Sequence, residues 1–140
     1  MQTFSVGENK ISTLAVNKSC TWVCLGLKTF GQIIVWEWKS QSYIINQKGF
    51  VHETTSISFN NHKLFATGTN DGKVKIWDKS SGYCLATFDE HESSITDVKF
   101  SNKNTLFSSS LDGTVNAYDV VKYKQFRKFK PDVECQITCL

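Results

Sequence analysis

Thr67-Gly-Thr-Asn-Asp-Gly-Lys-Val-Lys-Ile-Trp-Asp78 is the stretch that decides the fold. Its Asp71-Gly72 pair is typical of a two-residue turn, because both residue types tolerate a positive φ angle. After the turn, apolar and polar residues alternate as far as Trp77, which is the period of a β-strand with two different faces. The stretch therefore predicts a β-hairpin. The indole N–H of Trp77 needs a partner when buried, and the hydroxyl of Thr67 on the preceding strand is placed to supply one.

The hairpin recurs at a fixed interval along the chain. Ser108-Ser-Ser-Leu-Asp-Gly-Thr-Val-Asn-Ala-Tyr-Asp119 repeats it 41 positions later, and a less regular copy lies between Gly26 and Glu37. A period of about 40–45 residues that ends in Trp-Asp is typical of a β-propeller built from WD repeats. A non-repetitive β-sandwich with coincidental hairpins is disfavoured because three aromatics keep the same spacing: Trp36, Trp77 and Tyr118.

The period divides the chain into blades of four antiparallel strands. We expect an all-β fold with blades at about 11–48, 50–89 and 91–130, while residues 131–140 begin a fourth blade, with Gln136–Leu140 as its first strand. Propellers usually need about four to eight blades to close. The sequence therefore predicts part of a propeller that belongs to a longer protein.

The composition is that of an ordinary globular chain and gives no strong indication of a ligand. Of the 140 residues, 40% are hydrophobic and 21% are charged. The net charge of +3 is too small to indicate a nucleic-acid partner by itself. No apolar run approaches the ~18 residues of a membrane span, and the N-terminus does not resemble a signal peptide. These features predict a soluble intracellular protein without a membrane partner.

The five cysteines fit free thiols in a reducing compartment better than a disulfide framework, since their number is odd. Cys20 and Cys24 form one C-x3-C pair, Cys135 and Cys139 form another, and Cys84 stands alone. The alternative is a zinc site made from the two pairs. It is disfavoured because the spacing is loose and the pairs fall in different predicted blades, so we predict neither a metal nor a cofactor.

The hairpins resemble those of the WD-repeat family, in which a His, a Ser or Thr, an Asp and a Trp form a buried tetrad. The resemblance implies structural tetrads at these positions: Thr67, Asp71 and Trp77 in blade two; His91, Ser108, Asp112 and Tyr118 in blade three. Phe50 stands where the histidine of blade two is expected, and His52 is offset from it. In blade one, Gly26 and Phe30 replace the hydroxyl and the acid, so only Trp36 matches.

The blade-three residues also suggest a catalytic triad of His91, Asp112 and Ser108, but the internal network of the repeat explains them better. A buried carboxylate is costly unless it is hydrogen-bonded, and the tetrad supplies its partners. We expect Asp112 within hydrogen-bonding reach of His91, with Ser108 on the other side of the imidazole ring. In blade two we expect a shorter network, because Phe50 offers no hydrogen bond.

A more specific resemblance rests on Gly31-Gln-Ile-Ile-Val-Trp-Glu-Trp-Lys-Ser-Gln-Ser-Tyr43, which is similar to WD-repeat subunits of the small-subunit processome. The resemblance implies a nucleolar, non-catalytic scaffold that acts in processing of pre-ribosomal RNA and in small-subunit assembly. The implied partners are other WD-repeat subunits, the small nucleolar ribonucleoprotein and pre-ribosomal RNA. A generic WD-repeat adaptor of ubiquitin ligation or trafficking is the alternative, and nuclear localisation would separate the two. An enzyme has no support, since we find neither a phosphate-binding loop nor paired carboxylates.

A basic segment, Lys122-Tyr-Lys-Gln-Phe-Arg-Lys-Phe-Lys130, offers the one contact surface that the residues themselves suggest. Lysines on an exposed outer strand discourage edge-to-edge pairing, and this interpretation is favoured. The alternative is an RNA contact in which basic side chains bind phosphates and aromatics stack on bases. The residues of that contact are Lys122, Lys124, Arg127, Lys128 and Lys130. Strict strand alternation predicts the four lysines on one face with Phe126, and Arg127 on the other with Tyr123 and Phe129.

Overall fold

A computed structural model describes residues 9–28, 31–47, 52–60, 63–102, 104–133 and 135–140. Three four-stranded antiparallel sheets follow one another along the chain, and within each sheet neighbouring strands are consecutive in sequence. This arrangement confirms the three predicted blades. Among the described residues, no helix is long and apolar enough to cross a membrane.

The strands have the lengths expected from the hairpin pattern. Sheet one contains β1 (Ile11–Val16), β2 (Trp22–Leu27), β3 (Ile33–Glu37) and β4 (Ser42–Gln47). Sheet two contains β5 (Thr54–Phe59), β6 (Leu64–Thr69), β7 (Val74–Asp78) and β8 (Cys84–Phe88). Sheet three contains β9 (Ile95–Phe100), β10 (Thr105–Ser110), β11 (Val115–Asp119) and β12 (Lys124–Phe129).

Trp36, Trp77 and Tyr118 occupy equivalent places in the three sheets. Each lies on the third strand of its sheet and pairs with the second residue of the strand before it. Each also follows a β-bulge in the pairing of the third strand with the fourth. The 41-residue spacing of these aromatics therefore reflects one repeated backbone geometry, bulge included.

The core lies between neighbouring sheets. Between sheets one and two, Phe65 stacks on Trp77 with ring centroids 5.9 Å apart, within a buried apolar cluster that includes Val35. Between sheets two and three, Phe88 stacks on Tyr118 at 4.3 Å. Because sheets one and two cover each other's facing apolar sides, and sheets two and three do the same, the sheets stabilise one another in the manner of stacked repeats.

The first strands of neighbouring sheets are joined by hydrogen bonds that repeat along the chain. The Ser12 hydroxyl of β1 donates to the carbonyl of Thr54, the first residue of β5, at 2.6 Å. The Thr96 hydroxyl of β9 donates to the carbonyl of Ile137 at 2.7 Å. Ile137 thus lies against β9 as Thr54 lies against β1. Residues 135–140 run beside β9 without forming a regular strand, and they have no further strand to pair with among the described residues.

Candidate nucleic-acid interface and buried polar networks

A chain of hydrogen bonds crosses the interior of sheet three. His91, which lies before β9, places its Nδ1 atom 2.9 Å from Asp112 Oδ2 and its Nε2 atom 2.7 Å from Ser108 Oγ. The Ser108 hydroxyl lies 3.4 Å from the Tyr118 hydroxyl and donates to it. The imidazole and Ser108 are fully buried. Since Ser108 is enclosed by its own network, a substrate carbonyl cannot reach it in this arrangement.

The Asp112 carboxylate accepts more hydrogen bonds than the tetrad alone provides. The Thr114 hydroxyl donates to Asp112 Oδ1 at 2.7 Å and the Thr114 backbone N–H donates at 2.8 Å. The backbone N–H of Glu92 donates to Oδ2 at 3.1 Å. Burial acts to raise the pKa of Asp112, but the hydrogen bonds from Thr114, His91 and Glu92 outweigh it and lower the pKa to about 2. The side chain is therefore a fully bonded anion at neutral pH.

The corresponding network of sheet two is in two parts. The indole N–H of Trp77 donates to the Thr67 hydroxyl at 3.0 Å, as the hairpin pattern predicts. Asp71 instead accepts a hydrogen bond from Thr69 at 2.5 Å and lies 3.3 Å from Lys73 Nζ and 3.6 Å from His52 Nε2. Burial acts to raise the pKa of Asp71, but the hydrogen bonds from Thr69 and Lys73 and the electrostatic attraction of His52 and Lys73 outweigh it and lower the pKa.

Phe30 and Phe50, which replace the acid of blade one and the histidine of blade two in the sequence, lie outside the described residues. The prediction that Gly26 stands at the hydroxyl position of sheet one is wrong, because the strand pairing places Leu25 where Thr67 and Ser108 lie. Gly26 corresponds to Gly68, and a Cβ atom there would come within 2.7 Å of Thr13 Cγ2. Trp36 packs edge-on against Tyr43 with ring centroids 4.8 Å apart. Sheet one therefore keeps the aromatic position of the repeat and lacks the hydroxyl.

Sequence reasoning missed the hydroxyls that flank the two aspartates. Thr69 lies two residues before Asp71 and bonds to it, whereas Ser110, at the same place before Asp112, accepts the Asp112 backbone N–H at 3.1 Å. Thr114 lies two residues after Asp112. The signal was present, because a hydroxyl two residues before an aspartate recurs at the 41-residue period.

The prediction that the four lysines of the basic segment share one face is wrong. Residues of β12 pair with β11, and a bulge between Ala117 and Tyr118 leaves Phe126 as the extra residue. Directly opposed residues share a face. Lys124 therefore lies on the same face as Arg127 and Phe129, and Lys128 lies on the other.

The face that carries Lys124, Arg127 and Phe129 corresponds to a covered face of sheet two. There, Val74, Ile76 and Phe88 are buried against sheet three. In sheet three the β12 side chains on this face are exposed, and the Arg127 guanidinium lies 5.5 Å from the Phe129 ring. Lys122 and Lys130 flank β12 and are exposed as well. The five basic side chains thus spread along the strand instead of forming one patch.

The cysteines and acids of the described residues include no group of three or more side chains that could hold a metal ion. Cys24 is buried in β2, and burial raises the pKa of its thiol, whereas Cys20 is exposed in the turn between β1 and β2. Cys135 and Cys139 are both exposed. The structure does not bring the two C-x3-C pairs together into one closed ligand set.

Comparison with known proteins agrees with the repeat geometry. The family described as "WD domain, G-beta repeat" matches residues 46–78 and 82–119, and the chain therefore belongs to the WD-repeat family, as part of a β-propeller. The structure also resembles the crystal structure of RRP9 WD40 repeats with a TM-score of 0.84 and 19% identity, covering 91% of this chain and 40% of that one. At that identity the likeness shows the fold alone.

Curated relatives are more similar in sequence. The chain is 41% identical to the "Periodic tryptophan protein 2 homolog" of Dictyostelium discoideum, over 97% of this chain and 15% of the relative. It is 35% identical to the protein of the same name from Mus musculus, over 100% of this chain and 16% of the relative. The chain thus spans about 15% of the length of the curated relatives that it matches.

Proposed function

We propose that this chain is part of a non-catalytic WD-repeat scaffold of ribosome biogenesis, a component of the small-subunit processome that acts in pre-rRNA processing and small-subunit assembly. The observation that carries the proposal is the 41% identity to a periodic tryptophan protein 2 homolog along nearly the whole chain. Sequence similarity this continuous extends beyond the hairpin motifs that WD-repeat proteins share in general.

The polar networks support a structural role. Ser108 and the His91 imidazole are buried, and the Asp112 carboxylate is occupied by four hydrogen bonds from its own sheet and the preceding loop. A nucleophile must be reachable by its substrate, and this serine is not. We propose that the residues of both networks hold the blades together and take no part in a reaction.

The proposed partners are other WD-repeat subunits of the processome, the small nucleolar ribonucleoprotein and pre-ribosomal RNA, and the proposed location is the nucleolus. We also propose that residues 131–140 begin a fourth blade after blades at 11–48, 50–89 and 91–130. The hydrogen bond from Thr96 to Ile137 supports this, because it matches the bond from Ser12 to Thr54.

Tagging the full-length protein in cells tests the proposal. We expect a nucleolar signal, co-purification with other WD-repeat subunits and with the small nucleolar ribonucleoprotein, and accumulation of unprocessed pre-rRNA when the protein is depleted. An even cytoplasmic distribution, together with normal pre-rRNA processing after depletion, would contradict the proposal and favour a general adaptor of ubiquitin ligation or trafficking.

A further inference from the structure

One end of the molecule is formed by the turns that join the first strand to the second and the third to the fourth in each sheet. We call it the turn end. In sheet one the backbone N–H of Trp38 donates to the carbonyl of Thr21 at 2.9 Å, so the two turns meet. The equivalent bonds of sheets two and three run from Lys79 to Lys63 at 2.9 Å and from Val120 to Asn104 at 2.8 Å. The turn end is therefore built in the same way three times.

The turns of neighbouring sheets also meet each other. A cavity of about 290 Å³ lies between sheets one and two, lined by Lys18, Ser19 and Thr21 on one side and by Asn60 and Lys79 on the other. Lys79 Nζ lies 4.5 Å above the Trp22 ring, which holds the lysine between the two sheets. Asn17 and Phe59 complete the lining, so the described residues place two cations, two hydroxyls and two amides around one opening and no acid among them.

The turn end is basic. The described residues of its turns include five lysines and no acidic residue: Lys18, Lys39, Lys63, Lys79 and Lys122. The nearest carboxylates, on the last residues of β3, β7 and β11, are engaged in the turns themselves. Glu37 accepts from Ser40, Asp78 from Ser81 and Asp119 from the backbone of Val121. These bonds tie the three carboxylates to their own turns, and the five lysines outnumber them by two.

The opposite end of the sheets is acidic. Its described loops and turns contain more carboxylates than lysines, and the carboxylates are Glu53, Asp71, Asp89, Glu90, Glu92, Asp112 and Asp132. The small net charge of the chain therefore conceals two ends of opposite sign. A partner with negative charge would be attracted to the turn end and repelled from the other.

Each sheet also presents an exposed aromatic ring at the turn end, close to its lysines. Trp38 is 57% exposed, Tyr83 is 73% exposed and Tyr123 is 45% exposed. Each lies in or beside the turn before the fourth strand of its sheet. Single exposed aromatics are ordinary on a protein surface, but here one recurs on each of the three sheets at the same end of the molecule, near lysines in the sequence.

We infer that the turn end is a binding surface for single-stranded RNA, with the lysines as phosphate ligands and Trp38, Tyr83 and Tyr123 as stacking platforms for bases. The cavity between Lys18 and Lys79 takes one phosphate, whose oxygens accept hydrogen bonds from the surrounding donors. An aromatic and its lysines recur on every sheet, which matches a polymer that repeats a base and a phosphate. An acidic peptide would use the lysines but gives no reason for the aromatics.

This inference rests on the proposed function and gives its RNA partner a place on the molecule. It also changes the interpretation of the basic segment. Lys122 and Lys124 lie at the turn end, whereas Lys128 and Lys130 lie toward the acidic end of the same strand. Only the first two of these lysines belong to the inferred surface.

Binding of a single-stranded oligouridylate to the full-length protein over a series of salt concentrations tests the inference. The variant Lys18→Gln/Lys39→Gln/Lys63→Gln removes three exposed lysines, which contribute little to folding. We expect the slope of log affinity against log salt to fall by about 0.7 for each lost contact, about two in all. The matched control is Lys10→Gln/Lys128→Gln/Lys130→Gln, which removes the same charge away from the turn end and leaves the slope unchanged.

The aromatic half of the inference has a separate readout. Trp38→Ala and Tyr83→Ala are each expected to weaken oligouridylate binding by about tenfold with the salt slope unchanged, because stacking releases no counterions. Phe126→Ala is the control, since Phe126 is an exposed aromatic at 59% that lies away from the turns. Melting temperatures of all variants show whether each one is folded.

The inference is overturned if the folded wild-type protein does not bind oligouridylate, or if the two lysine triples change binding equally or not at all. It is also overturned if the turn-end triple reduces co-purification with protein subunits but leaves RNA binding unchanged. That last result would assign the surface to an acidic protein. Co-purification of the wild-type protein with other WD-repeat subunits reports on the proposed function alone. That function therefore survives if co-purification persists while RNA binding fails.

Discussion

Two aspartates 41 residues apart, Asp71 and Asp112, occupy the same turn position in different surroundings. Asp112 is 8% exposed and bonded to the buried His91, whereas Asp71 is 17% exposed and faces the side chains of His52 and Lys73. The period of the sequence makes these positions equivalent. Only the buried histidine makes one of them part of a continuous network, so the two aspartates should differ in what they contribute to stability.

We predict that Asp112→Ala lowers the free energy of unfolding by about 1–3 kcal/mol, because His91 and Thr114 lose a buried partner. Asp71→Ala should cost less than about 1 kcal/mol, because its neighbours His52 and Lys73 can turn to water. Urea unfolding of the intact propeller measures both values. Equal losses in the two variants would show that the sheet-three network contributes nothing beyond its exposed counterpart.

The same carboxylate predicts a dependence of stability on pH. The pKa of Asp112 is about 2 in the folded protein, below the value of about 3.9 in an unfolded chain. The unfolded state therefore binds more protons between these values, and the stabilisation by Asp112, complete above about pH 5, is lost as the pH falls through about 2. Asp112→Asn should be less stable at pH 7 and should lose less stability on acidification. Parallel pH profiles for wild type and variant would contradict this assignment.

At the scale of the element, the turns before β4, β8 and β12 repeat one backbone conformation that the sequence conceals. Gln41, Gly82 and Tyr123 lie 41 residues apart and all have positive φ, at 53°, 74° and 51°. Only one of the three is a glycine, the residue type that adopts this region without strain. Residue identity alone therefore did not reveal that these turns are equivalent.

This geometry predicts opposite effects for exchanges at equivalent positions. Gly82→Ala should destabilise the propeller by about 1 kcal/mol, because a Cβ atom there is strained at positive φ. Its nearest neighbour would be Ile45 Cγ1 at 3.4 Å, an ordinary contact, so the cost lies in the backbone. Gln41→Gly should be neutral or stabilising by up to about 1 kcal/mol for the same reason. Thermal denaturation of both variants checks the pair, and a loss of stability in Gln41→Gly would refute the argument.

The strands and turns were predictable from the sequence, and the bulges were not. A strand is visible in alternation and a turn in Asp-Gly, both of which are local signals. A bulge depends on how two strands pair, and nothing in Lys124-Gln-Phe-Arg127 marks Phe126 as the extra residue. The phase of β12 was therefore predicted wrongly beyond Gln125, and with it the sharing of one face by the lysines. The position of one bulge would have been enough to predict the other two, because the bulges recur at the 41-residue period in all three sheets.

At the scale of the whole molecule, stability depends on how closely neighbouring sheets approach. Gly68 lies on β6 where the sheet meets β9 of the next, and a Cβ atom there would overlap Ile95 Cγ2 and lie 2.9 Å from Ile95 Cβ. Gly26 holds the same place on β2, against Thr54 of β5. The glycines of the first two hairpins thus set the distance to the next sheet, a constraint that arises only once the repeats are stacked, and Ser109 holds this place in sheet three.

We predict that Gly68→Ala lowers the free energy of unfolding by about 1–3 kcal/mol, because the added methyl group forces sheets two and three apart. Ile95→Ala alone should cost about 2–5 kcal/mol by leaving a cavity. In the double variant the new methyl group enters part of that space, so its cost should be less than the sum of the two by about 1 kcal/mol. Urea unfolding of the four proteins gives the coupling energy. Additive costs would mean that the strain of an alanine at position 68 arises within its own strand, and that the contact with Ile95 does not set the spacing of the sheets.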